Sequence, residues 1–217
     1  MAFDGIVIAN LAKELNHKLA DGRITKIAQT ESDKLLLTIK KSISSPEQKT
    51  IRTQNRLVIS VNPSLPLLYL TQENQNAPLQ APTFCMVLRK HLNNCKINLI
   101  EQIGLERVLC MHLEHLNEMG DYCRKKLYIE LMGKHSNIIF TDDNNMIIDS
   151  IKHITSVMSS VRQVLPGKPY FIPDTMDKHN PMEATRESFM ETVFSNAISE
   201  IRQASRKKFN SSADLIC

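Results

Sequence analysis

Between Arg23 and His153 the apolar residues of this chain gather in short β-like runs separated by polar stretches, and that pattern limits its fold more than any other feature. Nine runs stand out: Arg23–Gln29, Leu35–Ile39, Leu57–Val61, Leu67–Leu70, Ile97–Ile103, Val108–Leu113, Leu127–Met132, Asn137–Phe140 and Met146–His153. They are short for helices and the right length for strands, so antiparallel sheet is expected to dominate. Gly104 sits where Ile97–Ile103 and Val108–Leu113 must reverse, and Asp142-Asp143-Asn144-Asn145 is a strong turn. The polar stretch from Ser42 to Gln54 is expected to separate two strands.

Two stretches carry helical spacing instead. Asp4 is a plausible N-cap for a helix through Ala20, with Val7, Leu11, Leu15 and Leu19 as its stripe and Asp21-Gly22 as its stop. Pro82 precedes Phe84, Val87, Leu88, His91 and Leu92, which predicts a second helix ending near Asn93-Asn94. The expected class is therefore α+β, mostly antiparallel sheets with two main helices. Leu165-Pro166-Gly167-Lys168-Pro169 breaks the pattern, and a domain boundary is placed near residue 173. From Glu183 to Phe209 a further helical stripe (Phe189, Val193, Phe194, Ala197, Ile201) ends in Arg206-Lys207-Lys208. Residues 174–217 are too few to make a core of their own, so they are expected to begin a helical module that continues beyond Cys217.

Composition narrows the class of protein. With 217 residues, 42% hydrophobic and 23% charged, the chain is globular rather than disordered or fibrous. No run approaches the roughly 18 apolar residues of a membrane span, and the N-terminus has Asp4 and no basic region, so a cytoplasmic protein without a signal peptide is expected. Five cysteines without C-x-x-C spacing read as reduced, packing thiols. A net charge of +4 permits a nucleic-acid partner without requiring one. Aromatic residues are 5% with no Trp, which favours backbone and shape recognition over stacking of a single strand.

No G-x-S-x-G, Walker A, H-E-x-x-H or G-x-G-x-x-G pattern is present, so no enzyme and no cofactor is expected. Cys110, His112 and His115 lack a second ligand pair, and no metal is expected. In Gly104-Leu105-Glu106-Arg107 a carboxylate and a guanidinium share a strand reversal. They can grip a phosphate or sugar hydroxyl, or form an ordinary surface ion pair. In Glu130-Leu131-Met132-Gly133-Lys134-His135-Ser136-Asn137, Glu130 falls opposite Leu127, Ile129 and Leu131, where it is either solvated or part of a site. Gly133 points to special backbone geometry, and Lys134, His135, Ser136 and Asn137 offer donors suited to phosphate or sugar, although a polar, glycine-containing turn is usually only a turn. Arg89-Lys90-His91 and Arg124-Lys125-Lys126 add basic groups, as phosphate contacts or solvated faces.

Six ordered blocks carry a family resemblance: Met1 to Gly5, Gly22 to Ile27, Phe84 to Leu92, Gly104 to Arg107, Glu130 to Asn137 and Leu165 to Tyr170. Together, over about residues 1–173, they resemble the N-terminal domain of the NFACT family, bacterial ribosome quality control factors long described as fibronectin- or fibrinogen-binding proteins. The resemblance implies an RNA-binding adaptor on obstructed large ribosomal subunits. Such a factor recognises peptidyl-tRNA and recruits alanyl-tRNA for template-free C-terminal tailing. It also implies a fold similar to the N-terminal domain of formamidopyrimidine-type DNA glycosylases, followed by a helix-hairpin-helix module whose glycine signature is not evident between residues 183 and 217. Base excision is not implied, because Met1-Ala2-Phe3-Asp4 lacks the catalytic proline and glutamate of those enzymes. Position by position, the resemblance places the family's Asp-Arg pair on Glu106 and Arg107, with Glu in place of Asp, and its acidic-apolar-apolar triplet on Glu130, Leu131 and Met132. These five are the expected tRNA-binding residues. Arg107 would anchor phosphate, and Glu130 would orient donors or touch the aminoacyl end. Arg89, Lys90, His91, Lys134, His135 and Asn137 are the further candidate phosphate contacts. The alternative reading is a surface adhesin for fibronectin or fibrinogen, disfavoured by the absence of an export signal or disulfide pattern.

Overall fold

The computed structural model describes residues 4–45, 48–116, 119–173 and 183–189. Helix α1 (Gly5–Leu19) starts where the sequence predicts, because the Asp4 carboxylate accepts from the Val7 N–H at 3.0 Å. Its buried stripe is Ile8, Ala12, Leu15 and Leu19, and Val7 lies beside that stripe rather than on it. The helix stops as Asp21 takes a positive φ of 66°. Gly22 follows for a different reason: a Cβ there would stand 2.6 Å from Ile39 Cγ2 and 2.8 Å from the Leu19 carbonyl. Helix α2 (Thr83–Leu92) buries Phe84, Cys85, Leu88 and Leu92 and turns out at Asn94, with φ 61°.

Nine strands pair antiparallel in one sheet: β1 (Arg23–Glu31), β2 (Lys34–Ser45), β3 (Gln48–Ser60), β4 (Leu67–Thr71), β5 (Lys96–Gln102), β6 (Val108–Leu116), β7 (Tyr122–Glu130), β8 (Asn137–Asp142) and β9 (Ile147–Ser150). The order β4-β3-β2-β1-β5-β6-β7-β8-β9 makes two meanders joined at β1 and β5. That joint is narrow, a single Arg23↔Lys96 pair bracketed by hydrogen bonds such as Ile24 N–H to the Cys95 carbonyl at 3.0 Å. The polar stretch from Ser42 to Gln54 is not a separator. β2 and β3 continue through it, with Ser42 opposite Arg52 and Ile43 opposite Ile51. Here the two strands pair only with each other, and Ser42, Ile51, Arg52, Thr53 and Gln54 are exposed, so the ladder is held by backbone pairing without apolar alternation.

One face of the sheet packs on the helices. Leu127, Ile129, Leu131, Ile138 and Phe140 join Leu15, Leu19, Leu88 and Leu92 in the main core. The opposite face of β6 to β9 is covered by the chain after β9. Val108, Cys110, Tyr128 and Ile139 pack there against Val164 and Tyr170. Ile154 and Val164 exchange backbone hydrogen bonds of 3.0 and 2.8 Å, closing a loop over residues 155–163. Among the described residues, no helix is long and apolar enough to cross a membrane. Of the predicted C-terminal helix, a short helix α3 (Arg186–Phe189) is described, and the stripe from Val193 and the basic run at Arg206 lie outside the described residues.

Candidate functional site

The two motif groups meet at one end of β6 and β7. Gly104 turns the chain with φ 57°, and Glu106 N–H donates to the Ile103 carbonyl at 3.1 Å. Gln102 Nε2 donates to the Glu106 carbonyl at 2.8 Å, pinning the turn. Val108 pairs with Glu130, and Leu131 N–H then donates to the Arg107 carbonyl at 2.9 Å. Arg107 is exposed, and its guanidinium makes no hydrogen bond or ion pair with any described residue. A cation held at a rigid turn and left uncompensated is suited to phosphate.

The triplet after it divides among three environments. Leu131 is fully buried in the main core, so its expected contact with tRNA is corrected to a packing role. Met132 is half-buried at the wall of a cleft. Glu130 does lie opposite the apolar residues of β7, but it is not solvated. The 155–173 segment covers that face, and Glu130 is 0% exposed. One carboxylate oxygen accepts from Arg162 Nη2 at 2.5 Å and the other from the Tyr170 hydroxyl at 3.0 Å. Arg162 Nη1 also donates to the Phe171 carbonyl at 3.0 Å, and Tyr170 stacks on Tyr128 with ring centroids 4.0 Å apart. Burial pulls the Arg162 pKa down, but the Glu130 carboxylate outweighs it and the net shift is upward, keeping the guanidinium charged. Burial first, and then Glu130, raises the Tyr170 phenol above its ordinary value, so it remains a donor.

Beyond Met132, Gly133 with φ 59° opens a single 3₁₀ turn, Gly133–His135, that holds Lys134 and His135 outward and exposed. Asn137 points the other way. It is fully buried, its amide donating to the Lys152 carbonyl at 2.9 Å while its oxygen accepts from the Ile138 and Lys152 N–H groups, so it serves the backbone and not phosphate. A cleft of about 420 Å³ opens between this turn and the 155–163 loop. Lys134, His135, Ser136, Lys152, His153 and Arg162 supply most of its polar lining, and Met132, Ile154, Met158 and Ile172 much of its apolar wall. Lys152 Nζ is spent on the Val61 and Ser136 carbonyls at 2.5 and 3.0 Å, and burial lowers its pKa.

The third group stands apart on α2. Arg89 Nε donates to the Ile27 carbonyl at 2.8 Å, Lys90 is exposed, and the His91 ring lies 5.8 Å from that of Phe140. Burial, then Lys125, Lys90 and His115, depress the His91 pKa, so it is a neutral packing side chain at pH 7 rather than a phosphate contact. Among the described residues, no group of three His, Cys, Asp or Glu converges on a common point. His112 Nε2 is instead 2.7 Å from Glu101 Oε1, and burial pushes the Cys110 thiol up to about 12.

Sequence reasoning misses Arg162 and Lys152. Arg162 lies in the serine-rich stretch 155–163, with no periodicity to mark it and 32 residues from its partner. Tyr170 is visible only as the end of the block from Leu165.

Residues 4–214 match the model of the NFACT N-terminal and middle domains. The chain belongs to the NFACT family. It is 40% identical over 191 residues to the Rqc2 homolog RqcH of Bacillus subtilis, covering 88% of this chain and 32% of that protein. Against the Rqc2 homolog RqcH of Streptococcus pneumoniae it is 36% identical over 194 residues, 89% of this chain and 34% of the relative. The chain thus spans about a third of the length of these curated family members. Among solved structures, the N-terminal domain of the fibronectin-binding protein PavA from Streptococcus pneumoniae superposes with a TM-score of 0.83 at 33% identity, covering 98% of this chain and 76% of the other. The fibrinogen-binding protein from Staphylococcus aureus gives 0.82 at 30% identity, covering 100% and 73%.

Proposed function

We propose that this chain is the RNA-engaging part of a ribosome-associated quality control factor. In this reading it is a cytoplasmic, non-enzymatic adaptor that holds tRNA on obstructed large ribosomal subunits and recruits alanyl-tRNA for template-free tailing of stalled chains. The family's Rqc2 homologs support the role, and the uncompensated Arg107 guanidinium at the β5–β6 turn is the observation that carries it to this surface. Arg107, with Lys134 and His135 beside it on the neighbouring turn, contacts phosphate. Glu130 contributes from inside, by holding Arg162 and Tyr170 in place.

The test is equilibrium binding to total bacterial tRNA across a salt series, for wild type and Arg107→Ala in parallel. Wild type should bind with a strong salt dependence, and the variant should lose most of that affinity, with a log–log slope smaller by about 1. Binding that is absent in both proteins, or indifferent to Arg107, overturns the proposal. The names of the solved relatives favour a second reading, a surface adhesin for fibronectin or fibrinogen. Surface labelling of intact cells separates the two, since only an adhesin is reached by an impermeant reagent.

A further inference from the structure

The two edges of the sheet are finished differently. At β9 the outer edge is taken up, with Ile147 N–H donating to the Lys168 carbonyl and Gly167 N–H to the Ile147 carbonyl, each at 2.8 Å. At β4 the described residues form no further ladder. Which groups are left over there follows from the pairing. Val61 N–H donates to the Asp33 carbonyl at 2.8 Å, so the odd-numbered residues of this stretch bond β2, and Arg56, Val58 and Ser60 bond β4. Their partners Thr71, Tyr69 and Leu67 therefore turn their N–H and C=O groups inward, and those of Leu68 and Leu70 point out of the sheet. No described backbone group bonds to them. Sheets guard a free edge with a charge, a proline or a bulge. β4 contains none of these: it reads Leu-Leu-Tyr-Leu-Thr and pairs with β3 without a register shift. Tyr69 is 41% exposed, and Leu65, just upstream of the strand, 59%.

We propose that β4 is an association edge whose occupant is β4 of a second copy of this chain, paired antiparallel about a two-fold axis at Tyr69. The strand is self-complementary. Leu68-Tyr69-Leu70 reads the same in both directions, and β4 carries no charge that would meet its own image. In this register Leu68 lies opposite Leu70 of the partner subunit and Leu70 opposite its Leu68, so every outward N–H and C=O of the two residues is paired. Tyr69 then faces its own image in a non-hydrogen-bonded pair, with Cα atoms about 4.5 Å apart, where two aromatic side chains support each other across the strands. An extended segment of another protein would meet the same backbone groups, but only a second copy brings this matched tyrosine. The Leu68 and Leu70 side chains already pack on the main core, so association costs no rearrangement of the fold. The contact is short, and the dimer is accordingly weak and reversible. In the sheet order, β3, β2, β1 and β5 separate β4 from the Arg107 turn, so this inference is independent of the RNA-binding reading.

The experiment is sedimentation velocity on the intact chain over a concentration series reaching about 1 mM. Wild type should pass from the mass of one chain towards that of two. Tyr69→Lys sets two ammonium groups face to face across the axis and should weaken association about tenfold, with the melting temperature of the dilute protein unchanged because the position is partly exposed. Tyr69→Cys fixes the register. Treated with oxidised glutathione, it should form a disulfide-linked dimer, the two thiols giving up two electrons and two protons to the oxidant, because a Cα separation of about 4.5 Å lies within the span of a disulfide. Thr71→Cys should not crosslink, since the axis sets it opposite Leu67 of the partner subunit rather than its own image. Wild type under the same oxidant controls for the native Cys123. A mass that stays at one chain throughout, or a dimer that Tyr69→Lys does not weaken, overturns the proposal. So does a Thr71→Cys variant that crosslinks as readily as Tyr69→Cys, because the chains would then meet in another register.

Discussion

Replacing Glu130 with glutamine is the sharpest test of how this site is held. The change keeps the shape and removes the charge. Glu130 is 0% exposed and the Arg162 side chain 8%, so neither can turn to water without moving the loop between them. A glutamine offers one carbonyl oxygen, whereas Arg162 and Tyr170 occupy both carboxylate oxygens, so one of the two donors must face an NH2 group. Removing one member of a buried pair costs about 3–5 kcal/mol, and Arg162 keeps the Phe171 carbonyl and can still donate to the amide oxygen, which places Glu130→Gln near the lower end, about 3 kcal/mol. At about 2–4 °C per kcal/mol for a domain of this size, the melting temperature should fall by about 6–12 °C in a thermal melt followed by circular dichroism. The double variant Glu130→Gln with Arg162→Met should be more stable than the sum of the single losses by about 2 kcal/mol, because no unpaired charge remains. A single variant melting within about 2 °C of wild type would refute the claim that this pair ties the 155–173 segment to β7.

Other expectations follow from the same geometry. His91 and His115 have pKa values lowered from 6.5, each by burial first, so below pH 6.5 the unfolded chain takes up protons that the folded one does not. Their contribution to stability is therefore complete above pH 6.5 and falls as pH drops through the window down to their folded values, and denaturant midpoints at pH 7.5 and 5.5 should show less acid loss for His91→Phe. Gly22→Ala should cost about 3 kcal/mol, since its Cβ meets backbone at 2.8 Å, whereas Gly133→Ala, with nothing nearer than the Pro63 carbonyl at 3.8 Å, should cost only about 1 kcal/mol for its positive φ; urea unfolding ranks the two. A thiol reagent at pH 7.5 should modify Cys123 in the native protein and spare Cys95 and Cys110, whose thiols burial raises to about 11 and 12, and mass spectrometry of the labelled peptides reads this directly.

Period and turn chemistry make most of the fold legible. Nine apolar runs correspond to nine strands, and both helices start and stop within a residue or two of the predicted signals. The β2–β3 arm is hidden because its described side chains past Lys41 are exposed and show no apolar alternation. The junction at Arg23↔Lys96 is hidden because one pair leaves no pattern. The site is half legible. Alternation along β7 puts Glu130 on the face away from Leu127, Ile129 and Leu131 in the core, but alternation names a face without saying what covers it.

Glu130, Leu131 and Met132 are adjacent in sequence but occupy three environments, and only the last of them reaches the cleft. Glu130 fixes the loop wall through Arg162. Leu131 anchors the end of β7 in the core and, through its N–H, holds the Arg107 carbonyl. Met132 lines the cleft. Arg107 therefore stands on a turn whose position is set by the strand beside it, and a lesion in the core should be felt at the surface. Leu131→Ala should lose about 2–5 kcal/mol of stability and weaken RNA binding with it, while Arg107→Ala should weaken binding alone. Melting curves and tRNA titrations on the two variants distinguish these outcomes. If Leu131→Ala lowers the melting temperature but leaves tRNA affinity untouched, the turn holds its place without β7, and the structural link between core and surface is wrong.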